Sequence, residues 1–418
     1  MLTDDLVATI RSRVRAPQFP ERSLIITEVG AVADGRTDCT AAIATAIEKL
    51  AAIGGGRVIV PPGTFRTGAI HLLDNIELHL QDGAVVEFSQ DPQDYLPIMR
   101  TRYEGVECYN YSPFVYAAGR TNVALTGNGV LDGRADDDHW WNWTRGDHSD
   151  GTDKRELLAA AEASVPVSER RFGARSRLRP GFVQFLDCRN VLVQGVTFHN
   201  SPMWVLHPVL SRNVIIRDVT VDSHGPNNDG CNPESCRDVL ITGCTFDTGD
   251  DCIAIKSGKD ADGRRINVPS EDILITDCVM RDGHGGITIG SEASGGVRRV
   301  VGQRCRMDSP DLKRALRIKS SPRRGGVIEQ IRFRQISIGS VAQAVIEIAL
   351  DYENTRSGPY PPTVSDIEFA DITASSADRA LRLIGLPEAP ITDVRLINCS
   401  FSGLRSTDRI EHVVGLQQ

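Results

Sequence analysis

A short phrase recurs through the 418 residues: a polar residue, then usually Asn or Asp, then alternating apolar positions. It reads DNIELHL from Asp74, TNVALTG from Thr121, RNVLVQG from Arg189, RNVIIRD from Arg212 and RDVLITG from Arg237. It continues as EDILITD from Glu271, RRVVGQR from Arg298, EQIRFRQ from Glu329, SDIEFAD from Ser365 and TDVRLIN from Thr392. The apolar residue after the polar pair serves as a marker: Val191, Val214, Val239, Ile273, Val300, Ile331, Ile367 and Val394, with steps of 23, 25, 34, 27, 31, 36 and 27 residues. Period-two alternation and β-branched enrichment make each phrase a short strand. A second strand often follows, as in GVTFHN, DVTVDS, GCTFDT and DITASS, with Gly, Asn and Asp as turn residues between them. Two or three short strands per repeat make a solenoid. Helical repeats would need 3.6-residue amphipathicity, and a propeller needs four strands per roughly 40–45 residues. The expected fold is all-β, a single-stranded parallel β-helix.

A solenoid needs capping. VADGRTDCTAAIATAIEKLAAIGGG supplies an N-terminal capping helix, with Asp38 expected as its N-cap and Gly54-Gly55-Gly56 as its stop. The span 134–180 breaks the rhythm: it is charged, free of the phrase, and carries Trp140, Trp141 and Trp143 near its start. It is expected to leave the solenoid as a long loop or short helices near the active-site groove. No linker composition divides the chain, so residues 1–418 are expected to form one domain.

Composition excludes several classes. Hydrophobic residues at 40% and charged residues at 24% support a large core. A net charge of −8 argues against a nucleic-acid partner. No segment approaches the roughly 20 apolar residues of a membrane span. The start MLTDDLVATIRSRV has no long apolar run, so cytoplasmic residence is expected. The ten cysteines include no CxxC, and Cys231 with Cys236 lacks a second pair at zinc spacing, so neither a disulfide framework nor a metal is expected. Cys244, Cys278 and Cys399 fall in strand phrases and should stack inside the solenoid.

The chemistry gathers in four blocks. NNDG places Asp229, TGDDC places Asp250 and Asp251, GHGG places His284, and LRIKS places Arg317 and Lys319. Asp229 to Asp250 is 21 residues, and Asp251 to His284 and His284 to Arg317 are 33 each, close to the repeat length itself. Residues at similar phase stack in successive coils, so three acids, an imidazole and two cations should share one face. Crowded carboxylates cannot all ionise easily, and a proton-holding acid beside an ionised base is what glycosidic cleavage needs. Arg317 and Lys319 are two apart on a strand and point the same way, a pair suited to a sugar carboxylate. Asp250 and Asp251 are adjacent, so both reach the site only if a bulge or strand end falls at Gly249. Taken singly, GDD or GHGG reads as a turn and RIKS as a solvated strand. Four blocks in order and in phase read as an active site. His207 has the right phase to line the same groove, against a packed structural role. Lys256, five residues past Asp251, has the reach for an anionic substrate.

This set of blocks resembles the signature of glycoside hydrolase family 28, the polygalacturonases. DGRTD, VPPGTF and the NSPMWVLHP run from Asn200 extend the resemblance over most of the chain. TRYEGVECYNYSP from Thr101 and GRRINVPSE from Gly263 are similar to bacterial exo-polygalacturonases. Asn228 and Ser320 stand where Thr is common in the family. The resemblance implies a right-handed parallel β-helix of the pectin-lyase-like kind and hydrolysis of α-1,4-galacturonan with inversion and no cofactor. It implies Asp250 as general acid, Asp229 and Asp251 on the water, His284 supporting the acids' protonation, and Arg317 with Lys319 on the galacturonate carboxylate. Asn227 of NNDG, Lys256 and His207 complete the expected substrate-binding set. Inversion further implies acid and base carboxyls about 6.5–9.5 Å apart. The 134–180 span and the TRYEGVECYNYSP loop are expected to block one end of the groove, favouring exo-action on oligogalacturonides. The exo-like relatives also suggest a homo-oligomer. Open alternatives are another pectic backbone (rhamnogalacturonan or xylogalacturonan), a calcium-dependent pectate lyase, and a non-catalytic carbohydrate-binding β-helix.

Overall fold

The computed structural model describes residues 3–145 and 149–418. They fall into two compact units, Val14–Asn228 and Met1–Arg13 with Asp229–Gln418.

In the Val14–Asn228 unit, strands Ile76–Leu80, Thr121–Gly127, Arg189–Gln194 and Arg212–Arg217 lie in parallel register. Val123 sits opposite both Ile76 and Val191, and Val191 opposite Val214. A second parallel row joins Ala84–Phe88, Val130–Asp132, Thr197–His199 and Thr220–Ser223. A third joins Ile70–His71, Val115–Ala118, Val183–Leu186 and Leu206–Val209. Three strand rows around a filled interior make a parallel β-helix. Helix α1 (Thr3–Arg13) belongs to the other unit, and α2 (Thr40–Ala52) is the capping helix. Its N-cap is Cys39 rather than Asp38. The Asp38 carboxylate, one position earlier, still accepts from the Thr40 N–H at 2.9 Å.

The Asp229–Gln418 unit repeats the pattern. Val239, Ile273, Val300, Ile331, Ile367 and Val394 pair in sequence, each on the next. The longer steps hold excursions: α4 (Asp260–Ile266, after α3 in chain order, Gly151–Glu162) and the turn Tyr352–Asn354. A further row joins Ile253–Ile255, Ile287–Gly290, Arg314–Lys319, Ala344–Ala349, Arg379–Ile384 and Arg409–Glu411. Helix α1 buries Leu6 and Ile10, and Arg13 at its end reaches Asp272 at 3.3 Å. No element was expected there. Its apolar positions are too few to stand out beside Asp4, Asp5, Arg11 and Arg13. Cys244 and Cys278 are buried as expected, whereas Cys399 is only half-buried.

The recurring phrase has a backbone cause. Its second residue takes positive φ in every copy: Asn75 59°, Asn122 56°, Asn190 59°, Asn213 57°, Asp238 57°, Asp272 57°, Arg299 54°, Gln330 57°, Asp366 55° and Asp393 53°. Asn and Asp tolerate this left-handed region best among residues with a Cβ. In the Val14–Asn228 unit the side chains also bond in a column, Asn213 to Asn190, Asn190 to Asn122 and Asn122 to Asn75, each at 2.8 Å.

Within 134–180, residues 146–148 lie outside the described residues. The rest forms a short turn of helix (Trp141–Thr144), α3, and another turn (Val167–Glu169). Trp140 is buried against Tyr95, Phe114 and Trp143, so it packs this excursion down. Trp141 donates its indole N–H to the Ser201 carbonyl at 2.8 Å and lies where a Cβ on Gly225 would collide with its ring.

Asn190→Leu removes two rungs of the asparagine column and puts a γ-branched residue at positive φ. It is expected to cost about 1–3 kcal/mol, read as a lower urea midpoint, with Asn190→Gly losing less.

Candidate active site

The Asp229–Gln418 unit brings seven of the nine expected site residues together. Local backbone register does this. The strand Thr245–Thr248 ends before Gly249, and the next begins at Ile253, so Gly249–Cys252 form a bend and the strand-alternation conflict disappears. Parallel-type bonds then stack the blocks: Gly230 N–H to Asp251 C=O at 3.0 Å, Cys252 N–H to Gly285 C=O at 2.8 Å, and His284 N–H to Asp250 C=O at 3.0 Å. Gly285 is needed for close approach. A Cβ there would press into Thr288 Oγ1 and come within 2.9 Å of Asp251 Oδ1.

Three carboxylates occupy three environments. Asp251 is fully buried. It accepts from Lys319 Nζ at 2.7 Å and Thr288 Oγ1 at 3.0 Å, with Arg317 Nη1 at 3.6 Å. Burial alone would raise its pKa, but Lys319 and Arg317 together bring it well below the usual carboxylate range. Asp229 is also buried, accepts from Asn232 Nδ2 at 2.9 Å, and has Lys256 Nζ 3.6 Å away. Burial, reinforced by the charge of Asp250, pushes its pKa well up despite Lys256. Asp250 is the most open of the three, with 18% of its side chain exposed. Its Oδ1 meets His284 Nδ1 at 3.0 Å and accepts the Asp251 N–H at 2.9 Å.

The cations are equally organised. Lys256 donates to Glu292 Oε2 at 2.9 Å and to the Gly290 carbonyl at 3.1 Å. Arg317 Nε donates to Glu347 Oε1 at 2.9 Å, and the same carboxylate contacts Arg314 at 2.8 Å and Arg382 at 3.4 Å. Tyr352 lies 5.8 Å from the Arg317 guanidinium and 5.2 Å from the Lys319 ammonium, measured to its ring centroid. Glu292, Glu347, Thr288, Asn232 and Tyr352 were not singled out from sequence. The usable signal was spacing: Glu292 lies 36 residues after Lys256 and Glu347 30 after Arg317, about one repeat each.

The two remaining residues lie in the Val14–Asn228 unit. His207 is buried, pairs in register with Gln184, has its Nδ1 2.9 Å from Gln184 Nε2, and packs edge-on to Trp204. Asn227 accepts from Arg179 Nη2 at 2.7 Å.

The same blocks are those that a family model recognises: the model described as Glycosyl hydrolases family 28 matches residues 168–416. The chain belongs to that family. Proteins similar to it include a probable polygalacturonase of Vitis vinifera, 28% identical over 392 residues, covering 90% of this chain and 73% of that protein. An exo-poly-alpha-D-galacturonosidase of Dickeya chrysanthemi is 28% identical over 375 residues, covering 84% of this chain and 61% of that protein. Among solved structures, a hyperthermoactive exopolygalacturonase from Thermotoga maritima is 46% identical, with a TM-score of 0.96 over 100% of this chain and 96% of that one. The polygalacturonase from Erwinia carotovora, at 22% identity and a TM-score of 0.70, shares the fold and covers 96% of this chain and 98% of that one. The fold of this family 28 protein is the right-handed parallel β-helix.

Removing Asp251's charge leaves buried Lys319 without its carboxylate partner, and Asp251→Asn is expected to destabilise by about 3–5 kcal/mol. Because the folded pKa of Asp251 is depressed, its contribution is full above the ordinary carboxylate range and fades as pH falls through that range and below. Urea melts at neutral and acidic pH should therefore show the gap between wild type and variant shrinking on acidification.

Proposed function

We propose that this protein is an inverting, exo-acting hydrolase of α-1,4-galacturonosidic bonds that releases galacturonic acid from oligogalacturonides. The observation that carries the reading is the division of neighbouring carboxylates into one, Asp251, held ionised by Lys319 and Arg317, and another, Asp229, whose affinity for a proton is raised by burial and by the charge of Asp250.

In this proposal Asp250, the most open of the three carboxylates and positioned by His284, is the general acid that carries the proton to be transferred. Asp250 gives it to the leaving glycosidic oxygen. Asp229, ionised in that state and with a raised proton affinity, takes a proton from the attacking water, while Asp251 orients that water. The proton then returns from Asp229 to Asp250, and one water has been consumed per bond cleaved. Arg317 and Lys319 bind the carboxylate of the sugar being cleaved, with Lys256 as a further substrate contact. Exo-action is supported by the similarity to the Thermotoga and Dickeya proteins. Cytoplasmic residence belongs to the same proposal and is supported by ten cysteines without a disulfide. Thiol labelling of the denatured, unreduced protein is expected to modify all ten.

Early products from trigalacturonate and from polygalacturonate test the reaction. Monomer as the sole small product, with no unsaturated sugar absorbing in the ultraviolet, is expected. A ladder of mixed oligomers would refute exo-action, and unsaturated ends would point to elimination. Asp250→Asn is expected to reduce kcat by at least about 10²-fold, within the range for loss of a general acid. A non-catalytic binding protein would show no hydrolysis in either form.

A further inference from the structure

The Val14–Asn228 unit contains a cavity of about 910 Å³ lined by none of the candidate site residues. Its roof is the segment 16–22, which carries Pro17, Phe19 and Pro20. That segment is fixed at both ends. Arg15 donates its N–H to Asn213 Oδ1 and accepts from Asn213 Nδ2, both at 2.8 Å, and Ser23–Ile25 pairs on Arg57–Ile59. The floor is a register row: His79 opposite Thr126, Thr126 opposite Gln194, and Gln194 opposite Arg217. Its members share one face and repeat at the inter-strand spacing of about 4.8 Å.

The floor's chemistry is selective. Glu77 is neutralised by Arg57 at 2.9 Å and accepts from the Thr126 hydroxyl at 2.7 Å. Arg217 has no such carboxylate partner among the described residues. One nitrogen donates to Gln194 Oε1 at 2.7 Å, while its Nε is buried with no hydrogen-bond partner. The Arg217 side chain is only half-buried and lines the cavity, so its charge, unmatched by a carboxylate, calls for an anion from outside the chain. The acceptor that matches a guanidinium is a carboxylate. His79, Thr126, Gln194 and Asn128 add neutral hydrogen-bonding groups, and Phe19 lines the same cavity. Burial and the nearby Arg57 favour neutral His79, which can both donate and accept.

We infer that this cavity is a second, non-catalytic site for an acidic oligosaccharide. Arg217 meets a sugar carboxylate, the polar row meets hydroxyls, and Phe19 covers a ring face. The ligand class rests on the galacturonan reading above, whereas the cavity and its unpaired donor do not.

Calorimetric titration with trigalacturonate tests this in the Asp250→Asn background, where the ligand is not consumed. Adding Arg217→Gln or Phe19→Ala is expected to remove one bound equivalent. Arg217→Gln alone should hydrolyse trigalacturonate with wild-type kcat and KM. Stoichiometry unchanged by both second substitutions overturns the cavity site. If the wild-type protein fails to hydrolyse trigalacturonate while Arg217→Gln still removes an equivalent, the catalytic reading falls and the binding site stands.

Discussion

Parallel pairing of each coil on the next determines where every functional group in this protein lies. A strand ladder tolerates no slip, because a shift of one residue turns each inward side chain outward. The left-handed residue at the second position of each phrase holds that register by fixing where the strand turns. Asn75, Asn122, Asn190 and Asn213 add hydrogen bonds along the axis to the same effect. In the Asp229–Gln418 unit the equivalent positions are charged except for Gln330. Asp272 is gripped by Arg299, and Asp366 by Arg332 and Arg395. The backbone requirement is common to both units, while the side-chain solution differs.

Given that register, the candidate active site follows from where charge is placed. Asp229, Asp250 and Asp251 are brought close by a bend and two ladder bonds, and the protein then makes them unequal. Two cations stand on Asp251, and low solvent exposure with a neighbouring acid acts on Asp229. Arg317 and Lys319 are themselves restrained, by Glu347 and by Asp251. Such mutual restraint fixes side-chain geometry before any ligand arrives, which is how a preorganised polar site favours a developing charge.

Much of this was legible in the chain. The phrase period announced the solenoid, and the order and phase of NNDG, GDDC, GHGG and RIKS announced the cluster of acids and cations. The misses share a cause. Glu292 and Glu347 act only through a partner one coil away, so no local motif marks them. Helix α1 buries just Leu6 and Ile10, too weak a pattern to separate from its charged neighbours. Cys39 caps α2 although Asp38 is the better capping residue, because the side-chain bond reaches Thr40 from one position further out. The role of Trp140 depended on Tyr95 and Phe114, distant in sequence, which close over it.

The Glu347 carboxylate contacts three guanidiniums, those of Arg314, Arg317 and Arg382. With Asp251 and Asp351 as the other acids and Lys319 as a fourth cation, four positive charges face three negative ones, so a positive field persists beside Arg317. On the proposed reading, a methyl-esterified sugar arrives without the charge that this field attracts. The protein is then suited to chains already stripped of their esters, and an esterase reaction stands upstream of it.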